Sequence, residues 1–127
     1  MKKILPIFLA ALLLVGCAAP VEKITYRQVN MNEAITMMEE GSGYIILDVR
    51  TPEEFVERHI PEAINIPNET ISTEEIPELP NKDQLILVYC RSGNRSKQAS
   101  EKLVALGYTN IVEFGGINDW PGDTVAG

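Results

Sequence analysis

Leu85-Ile86-Leu87-Val88-Tyr89-Cys90-Arg91-Ser92-Gly93-Asn94-Arg95-Ser96 is the stretch on which the reading of this chain turns. Leu85 to Tyr89 is an unbroken apolar run, which suits a central strand of a parallel sheet buried on both faces. Beyond the loop, Ser96, Ala99, Leu103 and Leu106 recur at helical spacing, and Gly107 ends that helix. Cys90 therefore falls where a buried strand ends and a short loop leads into a helix. Such a junction aims backbone N–H groups at one point, and the helix dipole adds positive potential there. Arg91 and Arg95 add fixed positive charge. The environment favours the thiolate, the nucleophilic form of cysteine. The stretch reads as a cradle for a thiolate and for an anion that the thiolate attacks. A cysteine after an apolar strand is often just a small core residue, but the polar loop with its two arginines argues against that here.

Upstream, Tyr44 to Val49 is a second apolar run, broken by Asp48. Thr51-Pro52-Glu53-Glu54 is a helix start, with Thr51 as N-cap, Pro52 at the first helical position and Glu54 completing a capping box. Asp48 and Arg50 thus lie at the carboxyl end of a strand, where open α/β sheets bind ligands. Asp48 is expected to pair with a loop arginine and hold it in place; the alternative is a solvated turn residue. His59, the single histidine, invites a cysteine–histidine pair with Cys90. Nothing in the sequence brings the two together, and a structural histidine is the preferred reading.

The remaining segments complete an alternating pattern. Lys23 to Val29 reads as an edge strand. Asn30 caps a helix with Glu33 as its reciprocal partner, Met31, Ala34, Ile35 and Met38 form its apolar face, and Gly41 ends it in the C′ role. Ala63 to Ile66 is a short strand. Asn68 to Lys82 is expected to be a surface connection with one helical turn around Thr73 to Ile76. Ile111 to Phe114 is a last strand, Gly115-Gly116 a tight turn, and Ile117 to Trp120 a final helical turn with Trp120 as a core anchor. Strands alternating with helices imply an α/β fold: a three-layer domain with a central, mostly parallel five-stranded sheet and helices on both faces, joined by right-handed crossovers.

The amino terminus has a different character. Lys2 and Lys3 precede an apolar run from Ile4 to Val15, which is shorter than the roughly 20 residues of a spanning helix and has the layout of a secretory signal. Leu14-Val15-Gly16-Cys17 resembles the lipobox of bacterial lipoproteins. That resemblance implies cleavage before Cys17 and acylation of that cysteine. The expected organisation is a signal peptide at 1–16, a lipidated tether at 17–22 and one domain at 23–127. Removing Lys2 and Lys3 takes the formal charge from −7 to −9. An acidic chain argues against nucleic acid and against polybasic membrane binding, so the lipid is the anchor to the extracytoplasmic face of a membrane. With Cys17 acylated, Cys90 is the only other cysteine of the chain. An unpaired cysteine in an exported protein suggests a reactive thiol. Two cysteines and one histidine leave no zinc site.

Four ordered segments resemble the single-domain rhodaneses. Ile46-Leu47-Asp48-Val49-Arg50-Thr51-Pro52-Glu53-Glu54-Phe55 is similar to the family's strand-to-helix signature, and His59-Ile60-Pro61-Glu62-Ala63-Ile64-Asn65-Ile66-Pro67 to its second. Cys90-Arg91-Ser92-Gly93-Asn94-Arg95-Ser96 matches the active-site loop. Phe114-Gly115-Gly116-Ile117-Asn118-Asp119-Trp120 resembles the terminal signature. Arg58 and Glu62 depart from the pattern, standing where the family commonly has glycines.

The resemblance implies sulfur transfer. Cys90 would take a sulfane sulfur from a small anionic donor such as thiosulfate, carry it as a persulfide and pass it to a thiol or cyanide. Ser92, Gly93 and Asn94 would line the donor site. Arg91 would meet the donor's anionic group, and Arg95 would fix the loop, held by Asp48, with Arg50 as further support. No cofactor is implied, and a monomer is expected. Phosphatases and arsenate reductases also use a cysteine, a ring of N–H groups and a closing arginine, but commonly with five residues between cysteine and arginine. Here there are four, a tighter cradle better suited to one sulfur atom than to a tetrahedral oxyanion. A lipid-anchored, non-enzymatic sulfur-carrying module is the third reading.

Overall fold

The structure is a computed structural model that describes residues 25–127. The expected signal peptide, the tether with Cys17, and the first two residues of the 23–127 domain lie outside the described residues.

Five strands form one sheet: β1 (Arg27–Gln28), β2 (Ile45–Asp48), β3 (Ile64–Asn65), β4 (Ile86–Cys90) and β5 (Ile111–Gly116). Their order across the sheet is β1-β5-β4-β2-β3, and every pairing between named strands is parallel. The apolar run chosen as central is the middle strand, and the segment containing Arg27 is an edge strand, as expected. Side chains alternate along β4. Ile86, Val88 and Cys90 enter one core cluster, while Leu87 and Tyr89 enter the other. That is the period of two that any strand imposes.

Each face of the sheet is covered by helices. Helix α3 (Asn94–Ala105) contributes Ala99 and Leu103 to the cluster that contains Cys90. On the opposite face α1 (Met31–Glu40) contributes Ala34, and Phe55 of α2 (Pro52–Glu57) packs beside it. The helix starts follow the sequence closely. Asn30 Oδ1 accepts from Glu33 N at 2.8 Å, though the expected reciprocal bond from the Glu33 side chain does not form. Thr51 and Glu54 form the full capping box, with Pro52 at its head.

Five local expectations change. The one turn of 3₁₀ helix in the long connection lies at Asn68–Thr70, directly after Pro67, and not around Thr73 to Ile76. The connection also does more than cross the surface, because Ile71, Ile76 and Leu79 are buried in the cluster beneath α3. The Tyr108 hydroxyl donates to Leu79 O at 2.6 Å and ties it down. Gly115 and Gly116 are not a tight turn but the last residues of β5, where the register against β4 shifts between Val88 and Cys90. Gly41 stops α1 in an extended conformation, φ −100°, so it is not the left-handed cap expected; a Cβ there would come within 2.6 Å of Met37 O. Trp120 is only half-buried, at the rim of the second cluster, because the preceding 3₁₀ turn (Ile117–Asp119) turns Ile117 inward instead.

Candidate active site

Cys90 is the last residue of β4 and only 1 % exposed. The strand's alternation sends its side chain to the α3 side of the sheet, under the loop that follows. Gly93 takes φ 116°, a backbone region open to glycine at little cost, and serves as N-cap of α3 without a capping side chain. That turn points Gly93 N–H at Cys90 Sγ, at 3.0 Å. The first N–H groups of α3 lack intrahelical acceptors, and the positive end of the helix dipole lies at this end of the helix. Ser96 Oγ lies 3.3 Å from Sγ. Among the described residues Cys90 is the free cysteine.

The floor of the loop is β5. Asn118 N–H donates to Arg91 O at 3.2 Å. Gly116 lies so close that a Cβ there would overlap the Arg91 carbonyl and the Ser92 amide. Here the glycine is needed for close approach of two backbones rather than for a turn. Arg91 and Ser92 are exposed at the mouth, and Asn94 is exposed on the first turn of α3. Arg91, Arg50, Arg58, Glu54, Glu57 and Asn118 line a polar recess of about 160 Å³ beside the loop.

The expected pairing of Asp48 with a loop arginine is overturned. Asp48 is fully buried and is engaged by Arg50: Nε lies 3.1 Å from both carboxylate oxygens and Nη2 lies 2.7 Å from Oδ2. The Arg50 backbone N–H also donates to Asp48 Oδ1 at 2.9 Å. Two residues apart at a strand end, the side chains point the same way, and this local match leaves the carboxylate no reach for the loop. Arg50 goes on to donate to Arg58 O at 2.6 Å, joining the end of β2 to the end of α2. Arg50 thus acts as the partner of Asp48 and joins β2 to α2, where support of the Cys90 loop was expected.

Arg95 is held instead by Glu54, with Nη1–Oε1 at 2.6 Å and Nη2–Oε2 at 3.1 Å. Two parallel bonds of this kind fix direction as well as distance. The Arg95 hydrogen bonds hold the Glu54 carboxyl down to about 2; hydrogen bonds from Thr51 and the Arg95 charge add to this, and partial burial opposes it. One glutamate therefore caps α2 and anchors the loop arginine. The sequence shows the first role and hides the second, because the partner is 41 residues away.

Other site residues were also missed. The Tyr89 hydroxyl accepts from Ile60 N–H at 3.1 Å. Burial, followed by the Asp48 charge, pushes its ionisation well above the ordinary tyrosine range, so it stays neutral. Asn65 Nδ2 donates to both Asp48 O and Arg50 O at 3.0 Å, which fixes the end of β2. Ser96 read as one member of an apolar helix face, but its hydroxyl reaches the sulfur. Glu113 was passed over inside an apolar strand, where a single buried charged residue is the informative exception. His59 behaves as a structural residue: its Nδ1 lies 2.9 Å from Phe55 O and its ring stacks on Phe55 at 3.8 Å.

Comparison with known proteins agrees with this architecture. Residues 30–123 match the model of the Rhodanese-like domain. The chain is 38 % identical over 73 residues to the thiosulfate sulfurtransferase PspE of Escherichia coli, covering 58 % of this chain and 70 % of that protein. It is 39 % identical over 77 residues to a sulfurtransferase of Allochromatium vinosum, covering 60 % of this chain and 70 % of that one. Among solved structures it is similar to a rhodanese with anions from E. coli, with a TM-score of 0.60 at 38 % identity, covering 66 % of this chain and 99 % of the other. With most of its length matched by the family model, and with fold and relatives in agreement, the chain belongs to the rhodanese-like domain family.

Proposed function

We propose that this protein is a sulfurtransferase in which Cys90 carries sulfur as a persulfide, with thiosulfate or a similar small anion as donor. The observation that carries the reading is the Gly93 N–H directed at Cys90 Sγ from the head of α3. A donor aimed at sulfur stabilises negative charge on it, the same logic by which preorganised N–H groups serve an oxyanion. The thiolate attacks the outer sulfur of thiosulfate. An S–S bond forms to Cys90, the bond to the sulfite group breaks, and sulfite leaves with the electron pair. A thiol or cyanide then attacks the terminal sulfur and releases the Cys90 thiolate. Ser92, Gly93 and Asn94 line the donor site, Arg91 meets the donor's anionic end at the mouth, and Arg95, fixed by Glu54, holds the loop. The names of the relatives above support sulfur transfer as the reaction class.

Cys17 is proposed as a lipidation site that anchors the mature chain to the extracytoplasmic face of a bacterial membrane. Its support is the Leu14-Val15-Gly16-Cys17 sequence after a basic start and an apolar run.

The test is intact mass after incubation with thiosulfate. The expected result is the gain of one sulfur atom in the wild type, reversed by cyanide and absent from Cys90→Ser. A chain that takes up no sulfur, yet hydrolyses aryl phosphates in a Cys90-dependent way, would transfer the assignment to the phosphatase class.

A further inference from the structure

Glu113 belongs to β5, is 3 % exposed and lies beneath the loop. Its Oε1 accepts from Ser96 Oγ at 2.8 Å and from Gly115 N–H at 2.9 Å. Among the described residues no lysine or arginine nitrogen comes within 4.0 Å of its carboxylate. The groups that face it are few. Gln28 of β1 stands opposite in the strand register. Tyr26 is close enough to feel its charge and that of Glu101. Lys97 of α3 and Asp119 share with it a recess of about 420 Å³ on the far side of the loop.

Ser96 connects this carboxylate to the sulfur. Its Oγ lies 2.8 Å from Glu113 Oε1, 2.9 Å from Gly93 O, 3.5 Å from Gly115 O and 3.3 Å from Cys90 Sγ. A hydroxyl has one proton to donate and two lone pairs. The carboxylate and both carbonyls only accept. With Glu113 ionised and nearest, the Ser96 proton goes to the carboxylate, and the hydroxyl can meet the sulfur only as an acceptor. That arrangement suits Cys90 S–H, which has a proton to give, and not a thiolate, which needs one.

We propose that Glu113 is a positioning residue that sets the protonation state of Cys90 through Ser96. Ionised Glu113 holds the Ser96 proton away from the sulfur and so works against the Gly93 N–H, which favours the thiolate. A neutral group in its place removes a buried negative charge two hydrogen bonds away and weakens the hold on the Ser96 proton, so the thiolate forms more readily. The effect is confined to the sulfur-free protein, because the inner sulfur of a persulfide bears no proton. The role of Cys90 as nucleophile rests on the function proposed above, but the titration of its thiol does not.

The experiment follows alkylation of Cys90 by iodoacetamide across pH, read by peptide mass so that Cys17 does not contribute. Glu113→Gln keeps an oxygen for Gly115 N–H and removes the charge. Like charges at this separation in a protein interior are worth about a factor of ten or more in the thiolate population. The variant should therefore be alkylated about tenfold faster than wild type at pH 7, with its profile moved to lower pH. In a Ser96→Ala background the same substitution should change the rate by less than about threefold. Equal or slower alkylation of Glu113→Gln overturns the proposal, and so does an undiminished effect without Ser96. Should the variant fail to fold, the reciprocal signal is read in wild type. The Glu113 side-chain carbonyl carbon should show a chemical-shift step at the pH where Cys90 becomes reactive, since interacting groups titrate together, and a flat trace there overturns it. If alkylation behaves as expected while thiosulfate adds no sulfur, only the functional assignment falls.

Discussion

Replacing Glu54 by glutamine tests how the loop arginine is held. The substitution keeps the shape of the side chain and removes the charge that meets Arg95 at 2.6 and 3.1 Å. The carboxyl is held from its ordinary 4.5 down to about 2. At about 1.4 kcal/mol per pH unit, this sets a ceiling of about 3.4 kcal/mol. Both side chains are about a quarter exposed, at 24 % and 27 %, so solvent screens part of the attraction. We expect a loss of about 1–2 kcal/mol at pH 7 in urea unfolding, seen as a lower midpoint with unchanged slope. The group is depressed in the folded state, so its contribution is complete above pH 4.5. It is lost as pH falls toward 2, where the carboxylate takes up its proton. Wild type and Glu54→Gln should therefore converge in stability near pH 2. Because Arg95 lies in the first turn of α3, directly after the Cys90 loop, sulfur loading by the variant should also fall by about tenfold at pH 7. An equal stability difference at pH 7 and pH 2 would show that the ion pair is not its source, and an unchanged loading rate would detach Arg95 from the chemistry.

Three further outcomes follow from named contacts. Gly116→Ala puts a methyl group into the Arg91 carbonyl and Ser92 amide; displaced loop N–H groups should cost about 10²-fold in the rate of thiosulfate-dependent sulfur uptake, measured by mass at timed quench. Tyr89→Phe strips the buried Ile60 N–H of its acceptor and should lower unfolding free energy by about 1–3 kcal/mol in chemical denaturation, with sulfur loading retained. Cys17→Ala expressed in a bacterial host should incorporate no labelled fatty acid, whereas wild type should; an unlabelled wild type refutes the lipobox reading.

What could be read from the sequence was local. The capping box at Thr51 and Glu54 spans four residues, and the Cys90 loop with its flanking strand and helix is continuous, so both were visible in order. The alternation of apolar runs with helical faces was enough for the parallel sheet and its central strand. Contacts between distant segments were not visible. Arg95 could have been matched with any carboxylate near the loop, and Asp48 was the obvious choice until its own neighbour Arg50 claimed it. The spacing of two residues at a strand end was the signal that would have identified that pair. Gly115-Gly116 looked like a turn because glycine pairs usually make one. Here Gly116 is required by the nearness of another backbone, which only the folded chain reveals. Glu113 in Ile-Val-Glu-Phe was the one charged residue of its own buried strand, and it was visible all along.

The sheet order also governs how the molecule can assemble. The first strand pairs with the last, with Arg27 opposite Val112 across 85 intervening steps of chain. Between them β5 also carries one whole edge of β4. β2, β3 and β4 can pair among themselves, but β4 keeps one open edge and β1 has no ladder to join until the final strand exists. Closing so large a loop is costly in entropy before any contact rewards it, which places this topology among the slower two-state folders. Until residues 111 to 116 are in place, the strand that ends in Cys90 presents an open, apolar edge, and the sulfur-carrying loop has no floor.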